Sequence, residues 1–239
     1  MPNKKRAPEG PAQYRGPVTT EVAAELEAFL DACRRGRPLR LVASGAAKGY
    51  ANVALTDRRE RALHLAAMSP SAEAVKLLIK AGALLDERDV SEWTPLMCAM
   101  RAKNAPGARA LIQAGAALNL VDDEDDPALS HACLVDFAEG VQLLAAAGAE
   151  LERLGGGGDS ALHYAAAEPA GFGCVKALLE AGALLDVPDR QGRTPLELAR
   201  AGGAKESAEL IAGEMARREA SEIEASARIP RAAAGGGRL

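Results

Sequence analysis

The densest group of chemically active side chains in this sequence is a run of five consecutive acids at residues 122–126. Carboxylates at every second position, Asp122, Glu124 and Asp126, resemble the oxygen ligands of a calcium-binding loop. The glycine that such a loop needs for its sharp turn is absent, and no glutamate stands at the closing position, so we reject a metal site. Two interpretations stay open: a solvated loop tip, or an electrostatic contact for a basic partner.

Three histidines and four cysteines are further candidates for nucleophilic or metal chemistry. The cysteines, at positions 33, 98, 133 and 174, lie far apart and form no CxxC pair. His131, Cys133 and Cys98 could form a ligand cluster, but other copies of a repeated phrase carry alanine or leucine at the two cysteine positions. We therefore expect buried, reduced thiols, no structural metal and no catalytic set.

A glycine run at residues 155–158 is the third candidate. A phosphate-binding loop of the form GxxxxGK[ST] needs a lysine and a hydroxyl residue that are missing here. We interpret the run as a flexible turn at a loop tip. The sequence indicates no cofactor.

A phrase that recurs along the chain must position these side chains. Its best copies are WTPLMCAM and RTPLELAR, which begin at Trp93 and Arg193. Five copies have leucines spaced by 33, 33, 33 and 34 residues, namely Leu63, Leu96, Leu129, Leu162 and Leu196. A second phrase, AGA or SGA, accompanies it with the glycines Gly45, Gly82, Gly115, Gly148 and Gly182. Self-similarity at a period of this size predicts a solenoid.

Each period predicts a short first helix with a defined start. Thr94 can cap a helix whose first residue is Pro95, because the proline lacks an N–H that would have no partner there. At the third helical position, His64 and His163 can return a hydrogen bond to the cap, as in a capping box. Where threonine is missing in the third copy, we expect Asp126 to serve as the cap.

A second helix, such as residues 73–80, follows in each period. It should end at the glycine of the AGA phrase, which adopts the left-handed conformation cheaply. Residues 40–46, RLVASGA, imitate this second helix and predict Gly45 as its glycine stop. The period therefore predicts pairs of helices joined by turns.

The pattern resembles the ankyrin repeat, in its TPLHxA core, its V-x-x-LL run and its D-x-x-G connection, which Asp89 with Glu92 and Asp189 with Gly192 hold here. This resemblance covers most of the chain, roughly residues 20–213. It implies an all-α fold, an ankyrin-repeat solenoid of helix-turn-helix units with β-hairpin-like finger loops. The implied division is a disordered basic, Pro-rich tail at 1–18, a degenerate N-terminal capping repeat at 19–56, ankyrin repeats at 57–88, 89–121, 122–154 and 155–188, a C-terminal capping repeat at 189–213, and a helical extension with a flexible tail at 214–239.

In ankyrin arrays, the fingers and the exposed side of each first helix line a concave groove in which partners usually dock. By position, the resemblance implies the groove residues Arg58, Glu60, Met68, Ser91, Trp93, Arg101, Ala102, Asp123, Glu124, Asp126, Leu134, Val135, Arg190 and Arg193. Trp93 is the only tryptophan and fills a normally exposed slot before a Thr-Pro pair. It is either a partner contact, since tryptophan is enriched among interface hot spots, or ordinary packing on the neighbouring finger.

Composition and charge narrow the class of function. The net charge of −4 gives no overall basic field that would attract nucleic acid. No apolar run approaches the roughly 18 residues that span a bilayer, and the N-terminus lacks a secretory apolar core. We expect a cytoplasmic protein and leave cytoskeletal and nuclear locations open.

The sequence thus predicts a non-enzymatic adaptor or scaffold. It would bind one or more proteins through its groove and fingers, with a partner segment that carries a basic stripe beside an apolar one. The alternative is a fixed structural subunit of a large multiprotein assembly, for example a cytoskeletal or ciliary one. Neither interpretation involves nucleic acid or membrane insertion, and the sequence does not imply self-association.

Overall fold

The computed structural model describes residues 20–53 and 56–228, with side chains as far as residue 225. Twelve α-helices follow one another over this part of the chain, with 3-10 turns at Tyr50–Asn52 and Pro169–Gly171. None of the described helices is both long and apolar enough to cross a membrane. The tails predicted at residues 1–18 and after residue 228 lie outside the described residues.

The helices alternate between two layers. The inner layer contains the first helix of each unit: α1 Thr20–Arg35, α3 Ala62–Met68, α5 Pro95–Arg101, α7 Ala128–Leu134, α9 Ala161–Ala167 and α11 Pro195–Ala201. The outer layer contains the second: α2 Leu39–Ala47, α4 Ala72–Lys80, α6 Ala105–Gln113, α8 Ala138–Ala146, α10 Phe172–Glu180 and α12 Lys205–Arg228. Each helix packs on its neighbours within its own layer, as expected of a solenoid.

The repeated leucines form the core between the layers. Leu63, Leu96, Leu129 and Leu162 are all buried, together with the alanines that surround them. Small side chains let neighbouring helices approach closely, which explains a hydrophobic content of 48% with only 3% aromatic residues. The all-α solenoid predicted from the period is therefore confirmed.

The predicted helix caps are present in most units. The hydroxyl Oγ1 of Thr94 accepts a hydrogen bond from the backbone N–H of Met97 at 3.3 Å. The imidazole Nδ1 of His64 accepts from the N–H of Arg61 at 3.2 Å, and Nδ1 of His163 accepts from the N–H of Ser160 at 3.1 Å. These bonds satisfy backbone donors that have no partner inside the helix.

The same histidines also link successive units. Nε2 of His64 donates to the carbonyl oxygen of Trp93 at 3.0 Å, and Nε2 of His163 donates to the carbonyl of Arg193 at 3.0 Å. Each acceptor precedes the first helix of the next unit. The sequence predicted the bond to the cap but not this second bond between units.

The cap predicted for the third copy is wrong. Helix α7 begins after Pro127, which stands at the capping position and makes no side-chain hydrogen bond there. The carboxylate of Asp126 turns instead to the next unit, where it accepts from the hydroxyl of Tyr164 at 2.9 and 3.1 Å. A bond to a neighbouring unit has replaced the local cap.

The glycine stop is confirmed in four outer helices and wrong in the first. Gly82, Gly115, Gly148 and Gly182 all have positive φ just beyond their helices. Gly45 lies inside α2, and the left-handed residue is Gly49. A Cβ on Gly45 would stand 2.2 Å from the ring of Phe29, so this glycine is required by close packing of α1 on α2.

Turns between inner and outer helices form one edge of the solenoid, opposite the fingers; we call it the turn edge. Asn104 ties two of these turns together, since its Nδ2 donates to the carbonyls of Ala67 at 3.0 Å and Ser69 at 2.6 Å. Gly36, in the first turn, is buried against Ser69 and Ser71. The first three turns of this edge are therefore packed on one another in succession.

The last outer helix, α12, has 24 residues where the other outer helices have nine. Its first part packs on the core through the buried Ile211. Further along, Nη1 of Arg218 donates to the carbonyl of Ala183 at 2.8 Å and its Nε donates to Glu214 at 2.8 Å. Helix α12 continues as far as Arg228.

Candidate functional site

Two of the finger loops are each organised by one aspartate at a predicted D-x-x-G position. Oδ1 of Asp89 accepts from the backbone N–H groups of Ser91 and Trp93, both at 2.9 Å. The N–H of Asp89 in turn donates to the carbonyl of Trp93 at 3.1 Å, which closes a hairpin-like turn. Glu92, at the tip, has a φ of 58° in the position that glycine usually fills.

Asp122 is the same turn aspartate in the third finger. Its Oδ1 accepts from the N–H of Glu124 at 3.0 Å and from the N–H of Asp126 at 2.8 Å, and Asp125 has a φ of 62°. This role is not evident from the local sequence, because Asp122 stands among four other acids. Its spacing from Asp89, which is one period of 33 residues, was the signal that could have identified it.

The acidic run is consequently divided between two environments. Asp122 and Asp126 are each only 4% exposed, whereas Asp123, Glu124 and Asp125 are exposed. The expectation of a wholly solvated tip is therefore wrong for two of the five acids. Burial raises the pKa of Asp126 to about 6, although its hydrogen bond from Tyr164 opposes that shift.

His131 joins the buried part of the finger to the only tryptophan. Its Nε2 donates to Oδ2 of Asp122 at 2.9 Å. Burial lowers the pKa of His131 below its ordinary value, against the opposing effect of Asp122, so the ring is neutral at pH 7. The other nitrogen, Nδ1, is buried and has no hydrogen-bond partner among the described residues. The indole of Trp93 lies against this imidazole, with 4.6 Å between ring centroids and 55° between ring planes.

These side chains surround an open depression of about 280 Å³ between the inner helices α5 and α7. We call it the Trp93 depression. Seven of its lining residues are predicted groove residues: Ser91, Trp93, Arg101, Asp123, Glu124, Asp126 and Leu134. The other two, Asp122 and His131, were not predicted as groove residues. The half-buried Trp93 supplies the apolar wall and the carboxylates supply the rim.

The comparison with protein families agrees with this architecture. The family model "Ankyrin repeats (3 copies)" matches residues 29–122, 63–155, 106–189 and 129–220, which together cover most of the chain. The chain belongs to the ankyrin-repeat family. A search of curated proteins gives no match. Ankyrin repeats generally act as protein–protein interaction modules, and their fold is typically non-catalytic.

Seven of the selected groove residues lie outside the Trp93 depression of this ankyrin array. Met68 is exposed at the end of α3. Arg58 contributes a carbonyl that accepts from the N–H of Val90 at 2.9 Å, and the N–H of Glu60 donates to Oγ1 of Thr56 at 3.0 Å. These contacts belong to the first finger and to its junction with the second.

The two arginines at the other end of the groove are also separate from the depression. Arg190 lines a different cavity of about 370 Å³, beside Gly158 and Asp189. Arg193 is held by its own finger, since its Nε donates to Oδ2 of Asp189 at 2.8 Å. Val135, next to Leu134, is half-buried and packs against the core, and Ala102 ends α5 as its exposed C-cap.

The glycine run at 155–158 forms the fourth finger, and close packing explains its composition. The N–H of Gly156 donates to the carbonyl of Glu124 at 2.9 Å. A Cβ on Gly156 would stand 2.2 Å from that same oxygen, and a Cβ on Gly155 would stand 2.0 Å from Oδ1 of Asp126. The interpretation as a merely flexible turn is wrong, because the third finger packs directly on these glycines.

The remaining candidates for chemistry are the cysteines and the possible metal ligands. All four cysteines are buried, as predicted, and burial raises the pKa of Cys33 to about 12. A thiol with such a pKa stays protonated and is a poor nucleophile near neutral pH. Within the described residues, no group of three or more His, Cys, Asp and Glu side chains could hold a metal ion.

Proposed function

We propose that this ankyrin-repeat protein is a non-enzymatic adaptor in the cytoplasm, and that its Trp93 depression captures a segment of a partner protein. The segment would carry a basic stripe beside an apolar one. The observation that carries the proposal is the pairing of the half-buried Trp93 with exposed carboxylates around one concave surface. Secondary contacts along the groove would come from the predicted groove residues outside the depression, namely Arg58, Glu60, Met68, Arg190 and Arg193.

Trp93 suits the role of an apolar anchor. The His131 imidazole packs against the Trp93 indole, and Asp122 holds that imidazole in place through a hydrogen bond. The indole therefore loses little conformational freedom when a ligand covers it. The exposed Leu134 extends the apolar surface along α7. Pre-organised aromatic side chains of this kind dominate binding energies at protein interfaces.

The rim suits a cationic segment. Asp123 and Glu124 are exposed at the tip of the third finger, and neither forms an ion pair with a described residue. Exposed charges at a rim mainly accelerate encounter and choose between partners, while a buried anchor controls dissociation. Arg101, which also lines the depression, would disfavour a ligand that is cationic along its whole length.

Affinity capture from the native source, compared between wild type and Trp93→Ala, tests the proposal. The matched control is Leu184→Ala, which truncates an exposed apolar residue far from the depression. We expect a captured protein that Trp93→Ala loses and Leu184→Ala retains. Equal capture by all three proteins would move the recognition surface away from the depression.

Binding kinetics with the captured partner separate the anchor from the rim. Trp93→Ala should accelerate dissociation by about thirtyfold, equivalent to about 2 kcal/mol. Replacing the exposed acids Asp123, Glu124 and Asp125 by Asn and Gln should slow association and flatten its dependence on salt. Asp122 and Asp126 stay unchanged in this variant because both are buried.

A further inference from the structure

The turn between α1 and α2 carries the chemistry that the Trp93 depression would select. Residues 34–41, RRGRPLRL, contain four arginines and no acid; we call this segment the basic turn. Arg34, Arg35, Arg37 and Arg40 are all exposed. Leu39 and Leu41 stand among them with 38% and 37% of their surface exposed, so the segment is apolar as well as cationic.

The cations of the basic turn are available for a contact. Arg35 forms an ion pair with Asp31 at 3.0 Å on the exposed side of α1. An exposed ion pair of this kind contributes little to stability. Arg34, Arg37 and Arg40 form no ion pair with any residue in the described ranges. The backbone that carries them is fixed, since Gly36 is buried against Ser69 and Ser71 and its N–H donates to the carbonyl of Cys33 at 3.1 Å.

We propose that the basic turn of one copy of this chain occupies the Trp93 depression of a second copy. This inference rests on the function proposed above and names the partner segment. The same copy cannot supply both halves of the contact. With helix rows roughly 10 Å apart, the basic turn lies about 25 Å from the depression along the array, and it belongs to the turn edge.

The two surfaces complement each other in charge and in apolar character. Leu39 would cover the exposed face of Trp93, and the flanking Arg37 and Arg40 would face the carboxylates of Asp123 and Glu124. Arginine suits such a rim because its planar guanidinium binds carboxylates through two parallel hydrogen bonds and stacks on aromatic rings.

Each copy has one basic turn and one depression, so a dimer held by one such contact leaves one turn and one depression free. The wild-type protein should therefore assemble progressively as its concentration increases. Because exposed charges form much of the contact, about 0.5 M NaCl should weaken assembly strongly relative to about 0.05 M NaCl. Trp93 should report assembly directly, as it is the only tryptophan in the chain.

Analytical ultracentrifugation of the full chain over a concentration series tests the contact. Arg37→Glu with Arg40→Glu disables the turn and keeps the depression, whereas Asp123→Lys with Glu124→Lys disables the rim and keeps the turn. Each double variant alone should associate at least about tenfold more weakly than wild type. An equimolar mixture should form a heterodimer and stop, because one variant still supplies a turn and the other a depression.

The matched control carries Arg109→Glu and Arg200→Glu, which reverse two exposed arginines elsewhere and should leave association unchanged. A wild-type chain that stays monomeric in low salt at every concentration overturns the inference, and so does a mixture that fails to associate. Failure here leaves the proposed function intact if another protein is still captured in a Trp93-dependent way. Self-association that survives Trp93→Ala would overturn this inference alone, because capture of another protein tests the proposed function separately.

Discussion

Asp122 and Asp123 are adjacent acids of equal charge, and the structure gives them opposite roles. Asp122 is buried and accepts three hydrogen bonds, from the N–H groups of Glu124 and Asp126 and from Nε2 of His131. Asp123 is exposed at the tip of the finger. Replacing each by alanine therefore removes the same charge from two environments, and we expect only Asp122→Ala to destabilise the fold substantially.

The structure sets the magnitude of the difference. Two of the three donors that Asp122→Ala abandons, the N–H of Asp126 and Nε2 of His131, are buried, and each unsatisfied donor costs about 1–3 kcal/mol. The N–H of Glu124 lies near solvent and can turn to water at little cost. We expect a loss of about 3–4 kcal/mol for Asp122→Ala, against at most about 0.5 kcal/mol for Asp123→Ala.

Urea denaturation followed by Trp93 fluorescence measures this difference at the affected finger. The comparison is valid where the slope of free energy against urea stays constant, because repeat arrays can lose two-state behaviour. Asp122→Asn should fall between the two alanine variants, since the amide oxygen still accepts the backbone bonds. Equal midpoints for Asp122→Ala and Asp123→Ala would refute the assignment of Asp122 as the turn aspartate.

Two further predictions concern the same junction of fingers. The pKa of Asp126 is raised to about 6 in the folded chain, so the free energy of unfolding of the wild type should fall as pH rises from about 4 through 6. In urea titrations, the free energy of unfolding of Asp126→Asn relative to wild type should therefore increase by about 2–3 kcal/mol over that interval. A difference that does not change with pH contradicts this. Gly156→Ala should lower the free energy of unfolding by about 1–3 kcal/mol, measured by thermal denaturation, because its Cβ meets the Glu124 carbonyl. The control Gly157→Ala meets only the movable carboxylate of Asp159. Equal melting temperatures for the two variants would exclude close packing as the reason for the glycines.

Much of the fold followed from regularities inside one period. The spacing of Leu63, Leu96, Leu129 and Leu162 predicted the buried row, and the Thr-Pro pairs predicted where inner helices begin. Capping bonds join residues three apart, so their partners can be recognised in the sequence alone. The wrong assignment of Gly45 shows the limit of this approach, because Phe29 of another helix decides that position.

The candidate site was predictable in part. Position within the repeat selected Trp93 and the exposed acids, which the structure brings to one depression, but it gave equal weight to Arg190 and Arg193, which lie elsewhere. A repeat pattern predicts which face a residue occupies. It does not predict which neighbouring side chains fill the space between two units.

The sequence by itself therefore determined the period, the helix pairs, most of their caps and the buried leucines, because these depend on contacts within about one turn of helix or one fixed repeat. Only the tertiary structure decided the roles within the acidic run, where Asp122 holds His131 and Asp126 meets Tyr164 in the next unit. It also decided that Gly156 must be glycine. The physical reason is that stacking brings together residues about 30–40 positions apart, and the identity of each such partner varies independently from unit to unit.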